Sequence, residues 1–343
     1  MTKALTLGEL AAQVGAELHG DAACRIDCVA PLDRARPGAI AFLSNPRFRR
    51  HLATTAATAV ILRREDLADC SVPALVSANP HLTYARVAAL LYPASPSPRG
   101  VHPSAVVDAD SQVAASAWIG PHCVVEAGAV IDADVFIGPG CVIGAGVRIG
   151  AGSRLAARVT VCHNVRIGKR ALIFPGAVLG SDGFGLAGDA GTWVRVPQLG
   201  TVTIGDDVEI GANTTIDRGA LDDTVIEDGV KLDNQIQVAH NVRIGAHTAI
   251  AGCVGIAGSA IIGKRCTVGG GVGIAGHLEI ADDVHLTGMT FVTKSITEAG
   301  LYSSGMPAET NRQWHRSIAR YRTLDDMAAR IKALEKSAKT AKD

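Results

Sequence analysis

The chain has 343 residues with 33 basic and 33 acidic side chains, so its net charge is nil and no global field argues for nucleic acid as a partner. Only 4% of residues are aromatic while 48% are apolar and 38 are glycine, which excludes a core built on large rings and points to small and β-branched side chains. No apolar run approaches the roughly 20 residues of a bilayer span, and the opening "MTKALTLGELAAQVGAEL" turns polar too early for a signal sequence, so a cytoplasmic protein is expected.

Residues 1–92 mix short apolar runs ("AIAFL", "TAVIL", "PALV") with helical patterns ("TLGELAAQVG", "NPHLTYARVAALLY"), which predicts a small α/β domain. "PASPSPRG", residues 93–100, reads as its linker. From Val101 to Leu179 every sixth residue is Val, Ile or Leu. The pattern resumes at Ile204, slips by four residues around "LDDT" (221–224), and runs from Ile226 to Val292. A period of six suits a parallel β-helix with three faces of six residues per coil, spanning 101–304. Successive coils then sit about 4.8 Å apart. Cys123 and Cys141, eighteen apart, are expected to stack as core thiols, and with no C-x-x-C pair the eight cysteines suggest no redox or zinc site. Residues 181–198, with Phe184 and Trp193, leave the register and predict a projecting loop that lines a binding face. The remaining extension, 305–343, steps by three or four through Trp314, Ile318, Tyr321, Leu324, Met327, Ile331 and Leu334. That spacing predicts an amphipathic α-helix in need of an apolar partner, most simply its own copies.

A β-helix is a scaffold, so function must be read from its polar exceptions. Two near-identical segments, "VCHNVRIG" (161–168) and "VAHNVRIG" (238–245), each carry a histidine. Seven residues before His240 stands Asp233, followed by Asn234; the aligned residues before His163 are Ala156 and Ala157. A carboxylate on one imidazole nitrogen orients the ring and raises the basicity of the other, so His240 is expected to be a proton acceptor and His163 structural. Gly258, eighteen residues on, is expected to present its N–H to a developing oxyanion. His277 is expected as a second site histidine, and Asn234 as a substrate-binding amide.

The stretches "GSDGFG" (180–185), "IGDDVEIGANTTIDRGALDDTVI" (204–226), "KLDNQIQVAHNV" (231–242), "IAGCVGIAGS" (250–259) and "YSSGMPA" (302–308) closely resemble the UDP-3-O-acylglucosamine N-acyltransferases of lipid A synthesis, over nearly the whole chain. The resemblance implies a homotrimer of left-handed parallel β-helices with sites between subunits. It further implies transfer of an (R)-3-hydroxyacyl group from acyl carrier protein to the 2-amino group of a 3-O-acylated UDP-glucosamine. No cofactor or metal is implied, since the carrier's phosphopantetheine thioester is itself a substrate. His240 would be the general base, Asp233 its orienting partner, Gly258 the oxyanion donor and His277 the second histidine. In "AFLSNPRF", Phe42 and Phe48 would sandwich uracil and Asn45 would bond it. Met289 or Phe291 would close the acyl groove. Lys294 with Arg312, Arg316 and Arg320, in a run ending at Arg322 that contains no acid, would face the acidic carrier.

Three rivals share some of these features. A UDP-N-acetylglucosamine O-acyltransferase also combines hexads with a histidine, a γ-carbonic anhydrase would use His240, His247 and His277 on zinc, and an inert scaffold has no reason to carry an Asp–His pair.

Overall fold

The computed structural model describes residues 4–93 and 97–340. Contacts divide the chain into two units, Met1–Pro96 and Ser97–Asp343. Of the expected linker, 94–96 lie outside the described residues, as do 341–343 at the end of the extension. The β-helix begins at Gly100, one residue earlier than the hexad pattern suggests, because Gly100–Val101 already pairs with Trp118–Ile119.

In the first unit, helix α1 (Leu7–Val14) is opened by Thr6, whose side chain accepts from Glu9 N while the Glu9 carboxylate returns to the Thr6 N–H, and it closes on left-handed Gly15. Leu7, Leu10 and Val14 form its buried face. Helix α2 (Pro80–Leu91) starts where Asn79 accepts from Leu82 N at 3.1 Å and Pro80 occupies the first turn. Both helices pack with a five-stranded sheet whose order is Glu17–His19, Ala74–Val76, Ala59–Leu62, Ala39–Phe42, Cys28–Val29. Only the first pairing is antiparallel. The apolar runs "AVIL" and "ALV" are continuous rather than alternating because these inner strands are buried throughout.

The second unit is a mainly β parallel solenoid of hexapeptide repeats, with three sheets of 9, 11 and 10 strands. Each sheet takes every third strand, so partners stand one coil apart: Val124 pairs with Val142, and Val142 with Thr160. From Ile119 on, the hexad aliphatics face inward and are buried, Ile119, Ile137, Ile173 and Val238 completely. Each such side chain contributes about 1.5–3 kcal/mol relative to exposure. Small polar residues also point inward where the backbone satisfies them: Ser153 Oγ donates to Gly168 O at 2.8 Å and accepts from Ala171 N. Cys123 and Cys141 occupy one inward column, each thiol donating to a carbonyl at 2.9 Å, Gly138 O and Ala156 O.

The regular eighteen-residue coil is broken in two places, both of which bear on the surface around His240. The excursion at 181–198 contains an exposed antiparallel hairpin, Leu186–Asp189 with Thr192–Arg195. The "LDDT" slip makes residues 209 and 231 partners, a separation of 22 instead of 18, so one corner carries four extra residues. At the far end the expected single helix is two, α3 (Asn311–Tyr321) and α4 (Leu324–Thr340). The break falls at Thr323, whose hydroxyl turns back to Arg320 O at 2.9 Å, while Asp325 and Asp326 open the next helix.

Candidate active site

His240 follows the strand Gln237–Val238 and sits half-buried at the corner leading to the strand Arg243–Ile244. Its neighbour Asn241 takes the left-handed conformation (φ 62) that the corner requires and asparagine tolerates. The Asn241 amide is fixed at both ends: Oδ1 accepts from Ala220 N at 2.9 Å and Nδ2 donates to Asp222 O at 2.9 Å. Oδ1 also lies 3.0 Å from His240 Nδ1. Because that oxygen only accepts, Nδ1 must carry the proton, which leaves Nε2 of the neutral ring with its lone pair free. Ala220 and Asp222 belong to the corner enlarged by the "LDDT" slip. The irregularity in the repeat therefore builds the cradle that orients the ring.

Nε2 faces Gly258. A methyl group placed on Gly258 would lie 2.7 Å from both Cε1 and Nε2 of His240, so only glycine leaves room for the ring. The Gly258 N–H has no hydrogen-bond partner among the described residues, as is also true of His240 and Gly276 at the same corner of adjacent coils. On the other side the excursion closes in: a methyl on Gly183 would meet His240 Cβ at 2.8 Å and Gln198 Oε1 at 2.9 Å. Both ends of the 181–198 excursion thus wall the imidazole, while Phe184 and Trp193 at its outer part stay exposed.

The twin histidine is engaged differently. Arg218 is 2% exposed and donates through Nη1 to His163 Nε2, through Nη2 to His163 O at 2.8 Å and through Nε to Gly180 O at 2.9 Å. A guanidinium does not give up its proton, so His163 Nε2 is the acceptor and its lone pair is engaged. The same residue ties down the root of the excursion, its own N–H donating to Ser181 O at 2.8 Å.

The expected Asp233–His240 pair does not form within the chain. Asp233 follows Lys231–Leu232 on a different sheet, one corner before His240, and its Oδ1 accepts from Asn234 Nδ2 at 2.9 Å. Asn234 Oδ1 in turn accepts from Ala212 N at 2.7 Å. Both line an open groove of about 570 Å³ with Phe174 and Lys231. Seven residues is one face plus one residue of the coil, so it carries the chain around the corner instead of back to the same place. A carboxylate absent from the sequence-based set, Asp217, does feel the His240 imidazole. It ends the strand Thr215–Asp217 one coil earlier, and Gln237 Nε2 donates to its Oδ2 at 2.9 Å. Burial pushes the Asp217 carboxyl up to about 6, against the opposing pull of the His240 imidazole and the Gln237 amide.

His277 (φ 59) stands in the Asn241 column, two coils on, with its N–H on Gly258 O at 3.1 Å. It flanks the Gly258 side of the corner. His247 lies at the next corner, bonding through its N–H to Asp228 O, so His240, His247 and His277 do not converge within one chain. Among the described residues no three His, Cys, Asp or Glu side chains form a group able to hold a metal ion.

On the face that ends at His240, the column Gln237, Gly255, Gly273, Phe291 runs along three coil steps in register. Nothing lies within 4 Å of where a Gly255 methyl would project, and at Gly273 the obstacle is the Phe291 ring at 3.1 Å. The result is a glycine-floored strip with an aromatic stop. Met289 is on the corner beside it (φ 61), not over the strip. Lys294, Arg312, Arg316 and Arg320 are all exposed, and none has an acidic partner among the described residues.

In the first unit a separate cleft of about 410 Å³ is lined by Phe42, Asn45, Phe48 and Tyr84, among others. Tyr84, also missed from the sequence, stacks on Phe42 with centroids 4.2 Å apart and planes 22° from parallel. One face of Phe42 is therefore already covered. Asn45 Oδ1 accepts from Arg47 N at 3.1 Å, leaving its NH₂ to donate into the cleft.

Both units have counterparts among known proteins. Residues 23–90 match the family described as UDP-3-O-(3-hydroxymyristoyl) glucosamine N-acyltransferase, LpxD. Residues 128–163 match the bacterial transferase hexapeptide, and 201–239 the hexapeptide repeat of succinyl-transferase. A UDP-3-O-acylglucosamine N-acyltransferase of Pseudomonas aeruginosa (strain UCBPP-PA14) is 59% identical over 98% of this chain and 95% of its own length. One from Coxiella burnetii (strain RSA 493 / Nine Mile phase I) is 52% identical over 98% of this chain and 99% of its own. Among solved structures, an Arabidopsis UDP-N-acetylglucosamine acyltransferase covers 60% of this chain and 71% of its own at 20% identity with a TM-score of 0.54, a likeness of fold.

Proposed function

The chain belongs to the UDP-3-O-acylglucosamine N-acyltransferase family, and from that membership we infer that it is an acyltransferase acting on the 2-amino group of a 3-O-acylated UDP-glucosamine in lipid A biosynthesis. The observation that carries this reading is identity of 52–59% over 98% of the chain, with the first unit, which the hexapeptide matches do not reach, included. The donor is an (R)-3-hydroxyacyl thioester of acyl carrier protein, and no resident cofactor is needed because the thioester supplies the activated acyl group.

In the proposed mechanism the amine lone pair attacks the thioester carbonyl carbon, and the resulting oxyanion is held by the Gly258 N–H. His240 Nε2 takes the proton leaving the nitrogen, with Asn241 Oδ1 holding Nδ1 in the reactive tautomer. Collapse breaks the C–S bond and the thiol leaves with that proton. His277 binds on the oxyanion side. The acyl chain lies along the strip floored by Gly255 and Gly273 and ends at Phe291, which favours Phe291 over Met289 as the stop. Uracil occupies the cleft of Phe42, Asn45 and Phe48, stacking on the exposed Phe48 and on the Phe42 face that Tyr84 leaves open.

A homotrimer is proposed on two supports. Trp314, Tyr321, Ile331 and Leu334 leave an apolar helical face exposed, and Val106, Val124 and Val142 form an exposed column on one sheet. In such an assembly the Asp233–Asn234 corner of one subunit serves the His240 corner of its neighbour, which restores a site role to both residues. Lys294 with Arg312, Arg316 and Arg320 then steers the acidic carrier protein. Among the described residues no helix is long and apolar enough to cross a membrane; a cytoplasmic location is proposed from the carrier and the nucleotide sugar it uses.

The test is direct. Purified protein is supplied with hydroxyacyl carrier protein and either UDP-3-O-acylglucosamine or UDP-N-acetylglucosamine. An amide product from the first and none from the second is the expected result; an ester from the second assigns the O-acyltransferase reaction instead.

A further inference from the structure

We propose that Asp217 is the counter-charge of His240, a positioning residue whose carboxylate stabilises the imidazolium formed when the ring takes the substrate's proton. The proposal rests on the reading of His240 as proton acceptor and adds to it the source of its negative field.

Asp217 is an anomaly in the solenoid. Ser153, Thr214 and Thr248, buried there, are neutral and bond to backbone, and Arg218 is committed to fixed acceptors. Asp217 is a half-buried carboxyl that enters no ion pair among the described residues and receives a single side-chain hydrogen bond, from Gln237. Holding an anion in partial burial without a cation is unfavourable. The site explains it if the cation is transient. Asp217 ends the strand one coil before Ala239–His240, with Thr215 opposite Gln237 and Ile216 opposite Val238. Its carboxyl is thus on the outward side of the same sheet, where the imidazole acts on it.

The other charges nearby are either paired or exposed to solvent. Asp182, at the root of the excursion, bonds Arg195 at 2.8 Å. Arg218 is held by His163 and Gly180. Asp222 is exposed and solvated, meeting Asn241 only through its backbone carbonyl, and Asp223 binds Arg166 at 3.2 Å. Asn241 itself is neutral and fixes the tautomer without offsetting a charge. Asp233 is bonded to Asn234 around the corner. Within the chain, Asp217 is the half-buried carboxylate on the His240 sheet that no cation among the described residues answers. Gln237 aims it, and Gln237 is held in turn by the Thr215 hydroxyl.

The experiment follows the His240 ring itself in the full-length protein, using histidine labelled with 13C at Cε1 and the His240→Gln variant to identify its signal. Asp217→Asn should lower the His240 titration midpoint by about one pH unit, and Asp217→Glu, which keeps the charge, should restore most of it. The acid limb of kcat/KM for acyl transfer should move down in parallel, with kcat reduced about tenfold or more and KM for the sugar nucleotide little changed. An unmoved midpoint in folded Asp217→Asn protein overturns the proposal, as does a fall in kcat with the limb in place, which marks a packing role only. If the midpoint shifts but wild-type protein transfers no acyl group, the charge pair stands and the reaction assignment fails. If transfer occurs and the midpoint is unmoved, the pair alone fails.

Discussion

Asn241 Oδ1 stands 3.0 Å from His240 Nδ1 and is itself pinned by Ala220 N–H at 2.9 Å. That relationship makes a turn-forming residue the group that puts the proton on Nδ1 and leaves Nε2 of the neutral ring with a free lone pair. Replacing His240 by alanine should lower kcat by about 10²–10⁴-fold, the usual contribution of a general base. Asn241→Ala should lower kcat while its effect on the KM for either substrate stays small. Steady-state kinetics on both variants check this.

His163→Ala should keep acyl transfer, because Nε2 of that ring is already filled by Arg218. Its expected cost is in stability, about 1–3 kcal/mol from leaving a buried donor without its acceptor. Loss of transfer in a folded His163→Ala protein would reverse the assignment of the two histidines.

Gly258→Ala places a methyl 2.7 Å from the imidazole. Since Gly258 does not have a positive φ, the substitution strains no backbone and the effect should fall on the ring. A drop in kcat of about ten- to a hundredfold with nearly unchanged thermal unfolding is expected, a displacement of about an ångström costing on that order.

Arg218→Met leaves the carbonyls of Gly180 and His163 unbonded in a buried place. Destabilisation of about 2–4 kcal/mol is expected, together with faster proteolytic cleavage within 181–198, because the root of that excursion loses its anchor. Cleavage unchanged relative to wild type would show that the excursion is held elsewhere.

Phe291→Ala should let the protein accept longer acyl chains, since the ring stands over the Gly273 end of the strip. Competition between carrier-bound acyl groups measures this, with a change in preference of about ten- to two-hundredfold expected per mismatched group. Met289→Ala should change the preference less.

Thermal melting across pH separates a stability cost from a functional gain at Asp217. Burial raises its carboxyl from 3.8 to about 6, so between those values the folded state holds a proton that the unfolded state has released. Stability from this group is therefore full below pH 4 and declines as pH rises through 6. Asp217→Asn carries no such penalty, so its melting temperature relative to wild type should rise over that window and level off above it.

The six-residue period of Val, Ile and Leu was sufficient to establish the parallel β-helix, because inward side chains repeat wherever a coil repeats. The helical patterns of "TLGELAAQVG" and "NPHLTYARVAALLY" likewise located α1 and α2. The sequence distinguished His240 from its twin by Asp233, a partner seven residues away that lies around a corner. What distinguishes the two rings physically came only with the coil stacked: Arg218 fills one from 55 residues along the chain, while Gly258 and the excursion at Gly183 surround the other. Asp217 and Tyr84 were invisible for the same reason, since nothing local marks a carboxyl that faces the next coil or a ring that covers Phe42 from another element. Periodicity records which way a side chain points, in or out. Which outward side chains meet depends on insertions such as "LDDT" that shift one coil against the next, and that was decided by the tertiary structure.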